Sequence, residues 1–259
     1  MADDSSRKIK SIAASYRIVE KLQELDGAGV TELAEQIDLG KSTVYQYLST
    51  LHDEGYVVKR GHTYHLGLKY LHHGMYARNE RPVVDLAQPS LETLVDETGE
   101  VGWITCEDHG KLVTLDSMVG EHDINEKFRG QVGNREYLHA HAGGKAILAA
   151  YSDDRVTDIV ESHGLPVYTE HTITDRDRLF DELGRIREEG VAFNDEEAIR
   201  GYRAVSAAVT KGEETVGSIT IGGPKNRLNG EYYQEELPSL IRGAINEIEL
   251  RGSVESPWN

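Results

Sequence analysis

Residues Val30–Gly67 read VTELAEQIDLGKSTVYQYLSTLHDEGYVVKRGHTYHLG, and they decide how the rest of the chain is understood. Thr31 is placed to N-cap a short helix, Glu32–Ile37, whose Leu33 and Ile37 share a face. Asp38-Leu39-Gly40 is a turn. A longer helix, about Lys41 to Glu54, carries Val44, Leu48 and Leu51 on one side and Ser42, Thr43, Tyr45, Gln46 and Ser49 on the other. Gly55 stops it, and Tyr56–Arg60 and Thr63–Leu66 read as strands around a Gly61-His62 turn. Helix, turn, helix and β-hairpin in that order predict a winged helix-turn-helix, with double-stranded DNA as the partner. The expected contacts are Thr31, Lys41, Ser42, Thr43, Tyr45, Gln46 and Ser49, with Lys59, Arg60 and His62 on the wing.

The charge distribution supports the same division. Residues 1–79 hold 10 Lys+Arg and 10 Asp+Glu, whereas residues 80–259 hold 18 and 35, so the whole net charge of −17 falls on the second part. A body of that charge is repelled by phosphate, which leaves the neutral first third to touch DNA. We therefore expect two domains, 1–79 and 80–259. Lys is scarce, 11 against 17 Arg, and the acidic residues are dispersed, a pattern like that of proteins from highly saline cytoplasm. No apolar run approaches the roughly 18–20 residues of a membrane span, and the start MADDSSRKIK has no apolar signal core. A cytoplasmic protein with no membrane partner is expected. Cys106 is the only cysteine, so no disulfide can form within the chain.

Residues 1–8 are polar and read as a frayed terminus. Ile9–Leu25 fits an amphipathic helix, with Ile12, Tyr16, Val19 and Leu22 as its apolar positions. Gly67–Arg78 reads as a connecting helix, interrupted by Asn79-Glu80-Arg81-Pro82 at the domain border. Beyond it, the pattern predicts helices at Val83–Glu97, Ala142–Tyr151, Asp153–His163, Asp175–Glu189 and Asn229–Arg251. Strands are expected at Val101–Cys106, Lys111–Met118, Val191–Phe193, Ala204–Thr210 and Thr215–Ile221. Strands in hairpins with helices grouped beside them give an α+β domain.

The chain resembles the IclR family of transcription regulators over about residues 10–250. The resemblance rests on LAEQIDLGKSTVYQYLSTLHDEGYV with YHLG, on Thr98-Gly99-Glu100, and on LHAHAGGKAILA (Leu138–Ala149). His171–Val209 and GSITIGGPKNRL (Gly217–Leu228) complete it. It implies an N-terminal winged helix-turn-helix and a GAF-like effector domain with a mostly antiparallel sheet. It also implies homodimers, or dimers of dimers, on a palindromic operator, acting as activator or repressor of genes for catabolism, here of a sugar or an aromatic acid. The effector contacts it implies fall on Gly144, Asn194, Ala204, Thr220 and Gly222. Gly144 is expected to let backbone N–H groups approach an anion. Asn194 stands where the family has an acidic residue, Ala204 where it has a cysteine, and Gly222 where it has a second serine. These losses of small polar groups are expected to enlarge the site and to disfavour a two- or three-carbon keto acid.

Other chemistry is weaker. His139-Ala140-His141, with His163 or His171, has too few ligand types to argue for zinc, and the pair is read as solvated or capping. Gly143-Gly144-Lys145 lacks the spacing of a phosphate loop, and no Gly-x-Ser-x-Gly elbow occurs. Cys106 falls in a predicted strand and reads as a small core residue. No cofactor and no enzymatic activity are expected. The competing reading is a metabolite-binding module, or an enzyme, that uses its winged helix for protein contacts.

Overall fold

The computed structural model describes residues 9–122, 132–212 and 214–254; the terminus 1–8, read above as frayed, lies outside them. The chain separates into two compact units, Met1–Ala77 and Arg78–Asn259.

In the first unit, α1 (Lys10–Glu24), α2 (Val30–Ile37) and α3 (Lys41–Asp53) precede the hairpin β1 (Val57–Arg60) and β2 (Thr63–Leu66), and α4 (Lys69–Asn79) follows. One core joins Ile18 and Leu22 of α1, Leu33 and Ile37 of α2, Val44 and Leu48 of α3, and Val57 and Tyr64 of the hairpin. The α1 stripe differs from the expected one. Ala14, Ile18 and Leu22 are buried, whereas Ile12 and Tyr16 are exposed, because this helix has a second apolar face its own core does not use. The N-cap of α2 is Gly29 and not Thr31, which lies inside the first turn. The α1–α2 loop also reaches the hairpin: Ala28 and Tyr64 exchange backbone bonds of 3.1 and 2.8 Å. Gly27 makes that approach possible. Its φ is +98°, and an added Cβ would lie 2.2 Å from the His65 ring.

The second unit is built on a six-stranded antiparallel sheet in the order β5-β4-β3-β8-β7-β6. Its strands are β3 (Val101–Asp108), β4 (Lys111–Val119), β5 (Arg135–Tyr137), β6 (Ala192–Asp195), β7 (Tyr202–Lys211) and β8 (Glu214–Pro224). One face carries Ile104, Cys106, Val205, Ala207, Val209, Ile219 and Ile221, which pack with α5 (Pro82–Thr98) and α9 (Leu237–Val254) in an apolar core. A second core packs Leu112 and Ala192 with α6 (Ala142–Ala149), α7 (Asp153–His163) and α8 (Arg176–Glu189). The short edge strand β5, the 3-10 turn at Leu138–Ala140 and the π-helical turn at Tyr232–Glu236 that opens the last helix were not expected from the sequence.

Candidate functional site

On α3 the apolar periodicity fixes which residues face outward. Val44 and Leu48 are fully buried, and this turns Lys41, Ser42, Tyr45 and Gln46 into solvent, with Thr43 and Ser49 half-buried at the margins. Thr31 is exposed on the first turn of α2. The wing pairs Lys59 with Tyr64 and Arg60 with Thr63, so Gly61-His62 forms its tip and Lys59, Arg60 and His62 are exposed. Lys59 Nζ stands 5.4 Å from the Tyr64 ring centroid, and Thr63 Oγ1 donates to the Arg60 carbonyl at 3.1 Å, which braces the tip. The helix face therefore offers hydroxyl, amide and phenol groups with one cation, and the wing offers two cations and an imidazole.

In the second unit, strand alternation brings four of the five candidate effector residues onto one face. Asn194 pairs with Ala204, Ala204 with Gly222, and Thr220 with both Ser206 and Trp103, so all of these project from the same side. The first turn of α6 lies on that side. Gly143, not Gly144, is the glycine that faces the sheet: a Cβ there would lie 2.8 Å from Ser218 Oγ, 2.9 Å from Thr105 Oγ1 and 3.0 Å from Thr220 Oγ1. Gly144 points elsewhere, its Cβ position 2.1 Å from the Leu138 carbonyl oxygen, so its missing side chain serves close packing of α6 on the 3-10 turn. Nor does the space released by Gly222 stay open. Trp103 fills it, with its Cζ3 2.9 Å from the Cβ position of Gly222, and Tyr202 meets the indole edge-on with centroids 6.4 Å apart.

Asn194 ties this face together. Its Nδ2 donates to the Ala140 carbonyl at 2.6 Å, and its Oδ1 accepts the Glu197 N–H at 3.2 Å. Glu197 in turn meets Lys145, whose side chain is 1% exposed and whose Nζ donates to Glu197 Oε1 at 2.6 Å and Glu182 Oε1 at 3.2 Å. Burial holds the Glu197 carboxyl above the usual range despite Lys145. Glu182 is also desolvated, but hydrogen bonds from Arg185 and the nearby Lys145 bring it below that range. Contrary to the solvated or capping reading, His139 is buried with Nε2 donating to the Pro166 carbonyl at 3.1 Å. His141 is the N-cap residue of α6, but its side chain makes no cap bond, and burial pulls its pKa down to about 4. His141 Nε2 and Glu197 Oε2 are enclosed polar atoms without a hydrogen-bond partner among the described residues. Among those residues no group of three or more His, Cys, Asp and Glu is arranged to hold a metal ion. Cys106 is buried on the opposite face of the sheet, and desolvation pushes its thiol to about 11. No helix among the described residues is long and apolar enough to cross a membrane.

A winged helix-turn-helix followed by a sheet whose helix-covered face carries a polar cluster defines a class of two-unit DNA-binding regulators. Residues 15–61 match the profile of the IclR helix-turn-helix domain, and residues 75–249 match that of the bacterial transcriptional regulator IclR C-terminal domain. The chain belongs to the IclR family of transcription regulators. It is 29% identical to the "Probable HTH-type transcriptional regulator ArcR" of Halobacterium salinarum over 95% of this chain and 94% of that one. It is 28% identical to the transcriptional repressor IclR of Escherichia coli over 94% and 90% of the two chains. The fold matches the crystal structure of the Thermotoga maritima IclR with a TM-score of 0.75 at 24% identity, covering 94% of this chain and 99% of that one. An IclR homologue from Microbacterium hydrocarbonoxydans, crystallised with 4-hydroxybenzoate, superposes with a TM-score of 0.79 at 16% identity over 94% and 99%.

Proposed function

We propose that this chain, acting in the cytoplasm, switches genes of small-molecule catabolism by binding operator DNA, and that a small metabolite held in residues 80–259 controls that binding. The observation that carries the reading is α3: an apolar back locked into a core, and an outward face of Ser42, Tyr45 and Gln46 with Lys41 at its start. Groups of that size and chemistry fit base edges in a major groove. Thr31, Thr43 and Ser49 flank the contact, and Lys59, Arg60 and His62 on the wing meet phosphate or the minor groove. The effector sits on the sheet face below the first turn of α6, near Asn194, Ala204, Thr220 and Gly222, with Gly143 taking the place assigned above to Gly144. The bound 4-hydroxybenzoate of the Microbacterium homologue is an example of a small acid carried by this fold.

One recognition helix reads only a few base pairs, so we infer a homodimer, or a dimer of dimers, on a palindromic operator. Apolar side chains left exposed in the first unit support this: Ile9, Ile12 and Tyr16 on and just before α1, and Leu71, Met75 and Tyr76 on α4. The acidic, lysine-poor composition fits a highly saline cytoplasm. The chain acts by binding, without catalysis. A gel shift with the DNA upstream of its own gene tests the reading. The full chain should shift that DNA and a chain lacking residues 1–79 should not; a shift by the truncated chain would overturn the assignment, and no shift by either would favour the metabolite-binding module.

A further inference from the structure

The hydroxyl groups on the α6-covered sheet face have little left to offer a ligand. Thr220 donates to Ser206 at 2.9 Å, and Ser206 donates to the Ile219 carbonyl at 2.8 Å. Thr105 and Ser218 share one bond of 2.7 Å. A hydroxyl has a single proton, so the four groups together keep one free donor, and Gly143 lies over three of them with no room for even a Cβ between. A short keto acid concentrates its charge and acceptors in a few atoms and needs several converging donors. This floor cannot supply them.

The accessible part of the face lies one step along the sheet. Thr105, Ser206, Ser218 and Thr220 are buried, whereas Trp103 and Ala204 are only half-buried. Ala204 and Gly222 are register partners, and both are small, which seats the indole against the sheet and holds it there. Tyr202 fixes its edge. The two enclosed atoms without partners among the described residues, His141 Nε2 and Glu197 Oε2, belong to the same neighbourhood. His141 follows Ala140, whose carbonyl accepts from Asn194, and the Glu197 N–H donates to Asn194 itself. A carboxylate oxygen accepts and cannot donate, so it suits a hydroxyl donor on the ligand.

We propose that Trp103 is the specificity-determining residue of the effector site, and that the ligand is a flat aromatic ring carrying at least one hydroxyl group, stacked on the indole. The proposal rests on the reading that residues 80–259 bind an effector. The side chain introduced by Gly222→Ser would collide with the indole, so the small residues and the tryptophan act as one unit. Removing an aromatic stacking partner lowers affinity about ten- to hundredfold.

The test uses the full chain with Trp258→Phe, which leaves Trp103 as the sole tryptophan. Its fluorescence and binding heats are followed in molar KCl against millimolar 4-hydroxybenzoate, 3,4-dihydroxybenzoate, pyruvate and glyoxylate. At least one hydroxylated ring should quench Trp103 saturably. Trp103→Ala and Gly222→Ser should each weaken it about ten- to hundredfold, and Trp103→Phe should keep most of the affinity. Binding of pyruvate or glyoxylate with the rings silent would overturn the ring proposal and leave the effector reading standing. Ring binding untouched by the variants at 103 and 222 would also overturn it, by locating the ligand elsewhere. Silence from all four probes would count against both.

Discussion

Replacing Lys145 with Met tests whether the buried ion cluster is what holds α6 over the sheet. The ammonium is enclosed, at 1% side-chain exposure, and Glu197 is 11% exposed and has no other cation paired with it among the described residues. Glu182 keeps Arg185, which grips it through Nε and Nη2 at 3.0 and 2.9 Å. The substitution therefore strands one carboxylate, and a buried charge that loses its partner costs about 3–5 kcal/mol. For a unit of this size about 2–4 °C accompanies each kcal/mol, so the melting temperature should fall by roughly 6–20 °C. The loss should depend on pH in a definite direction. Burial already raises the folded-state Glu197 pKa above its unfolded value of 4.5, and removing Lys145 raises it further. A raised carboxyl is favourable to folding below the unfolded pKa, and that contribution is lost as pH rises through the folded pKa. The gap between K145M and wild type should therefore be widest near neutrality and narrow toward about pH 5. Adding Glu197→Gln should recover most of the stability. Thermal and urea unfolding at the two pH values, in high KCl, reads all of this. A deficit under ~1 kcal/mol, a deficit that does not change with pH, or a double variant less stable than K145M would refute the argument.

Three further outcomes are expected. Gly27→Val combines a φ of +98° with a Cβ 2.2 Å from the His65 ring, so it should detach the α1–α2 loop from the wing and abolish the gel shift while ligand binding by the second unit persists; normal DNA binding would show the bridge to be dispensable. Arg60→Ala should weaken binding to all sequences alike and flatten the log–log salt slope by about 0.9 for each phosphate no longer neutralised, whereas Gln46→Ala should cost ~1–3 kcal/mol at particular base pairs and leave the slope alone. Cys106, buried and with its thiol pushed to about 11, should resist thiol reagents at neutral pH until the protein is unfolded; stoichiometric labelling of the native chain would contradict its burial.

The winged helix was legible because glycine punctuates it: Gly40, Gly55 and Gly61 end or begin each element, and Val44 and Leu48 set the helix face without ambiguity. On α1 the same method chose Ile12 and Tyr16, since a helix with two apolar faces does not announce which one is turned inward. The resemblance supplied Asn194, Ala204, Thr220 and Gly222, and only the strand register of the structure puts them on a common face; adjacent glycines on a helix differ by about 100° of rotation, and the resemblance chose Gly144 where Gly143 faces the sheet. The edge strand Arg135–Tyr137 is too short to show a period. His139 and His141 read as solvated or capping because a 3-10 turn of three residues shows no period, and because the contact of His139 with the Pro166 carbonyl spans 27 residues of chain. Trp103 was missed although a signal existed: a large ring on a strand is easiest to seat where facing positions have become Ala and Gly.

The division of charge also shapes how such a regulator finds its target. Lys41, Lys59 and Arg60 are nearly all the cationic surface that the reading face presents, in a stretch, residues 1–79, of net charge zero. Attraction to arbitrary duplex comes almost wholly from released counterions, a contribution that vanishes as salt rises. The protein should thus spend little time parked on the wrong DNA and should arrive at its operator through brief collisions from solution instead of sliding along the chromosome. A low background of unproductive complexes lets a modest number of copies occupy one site, because competition from the genome scales with the affinity for random sequence.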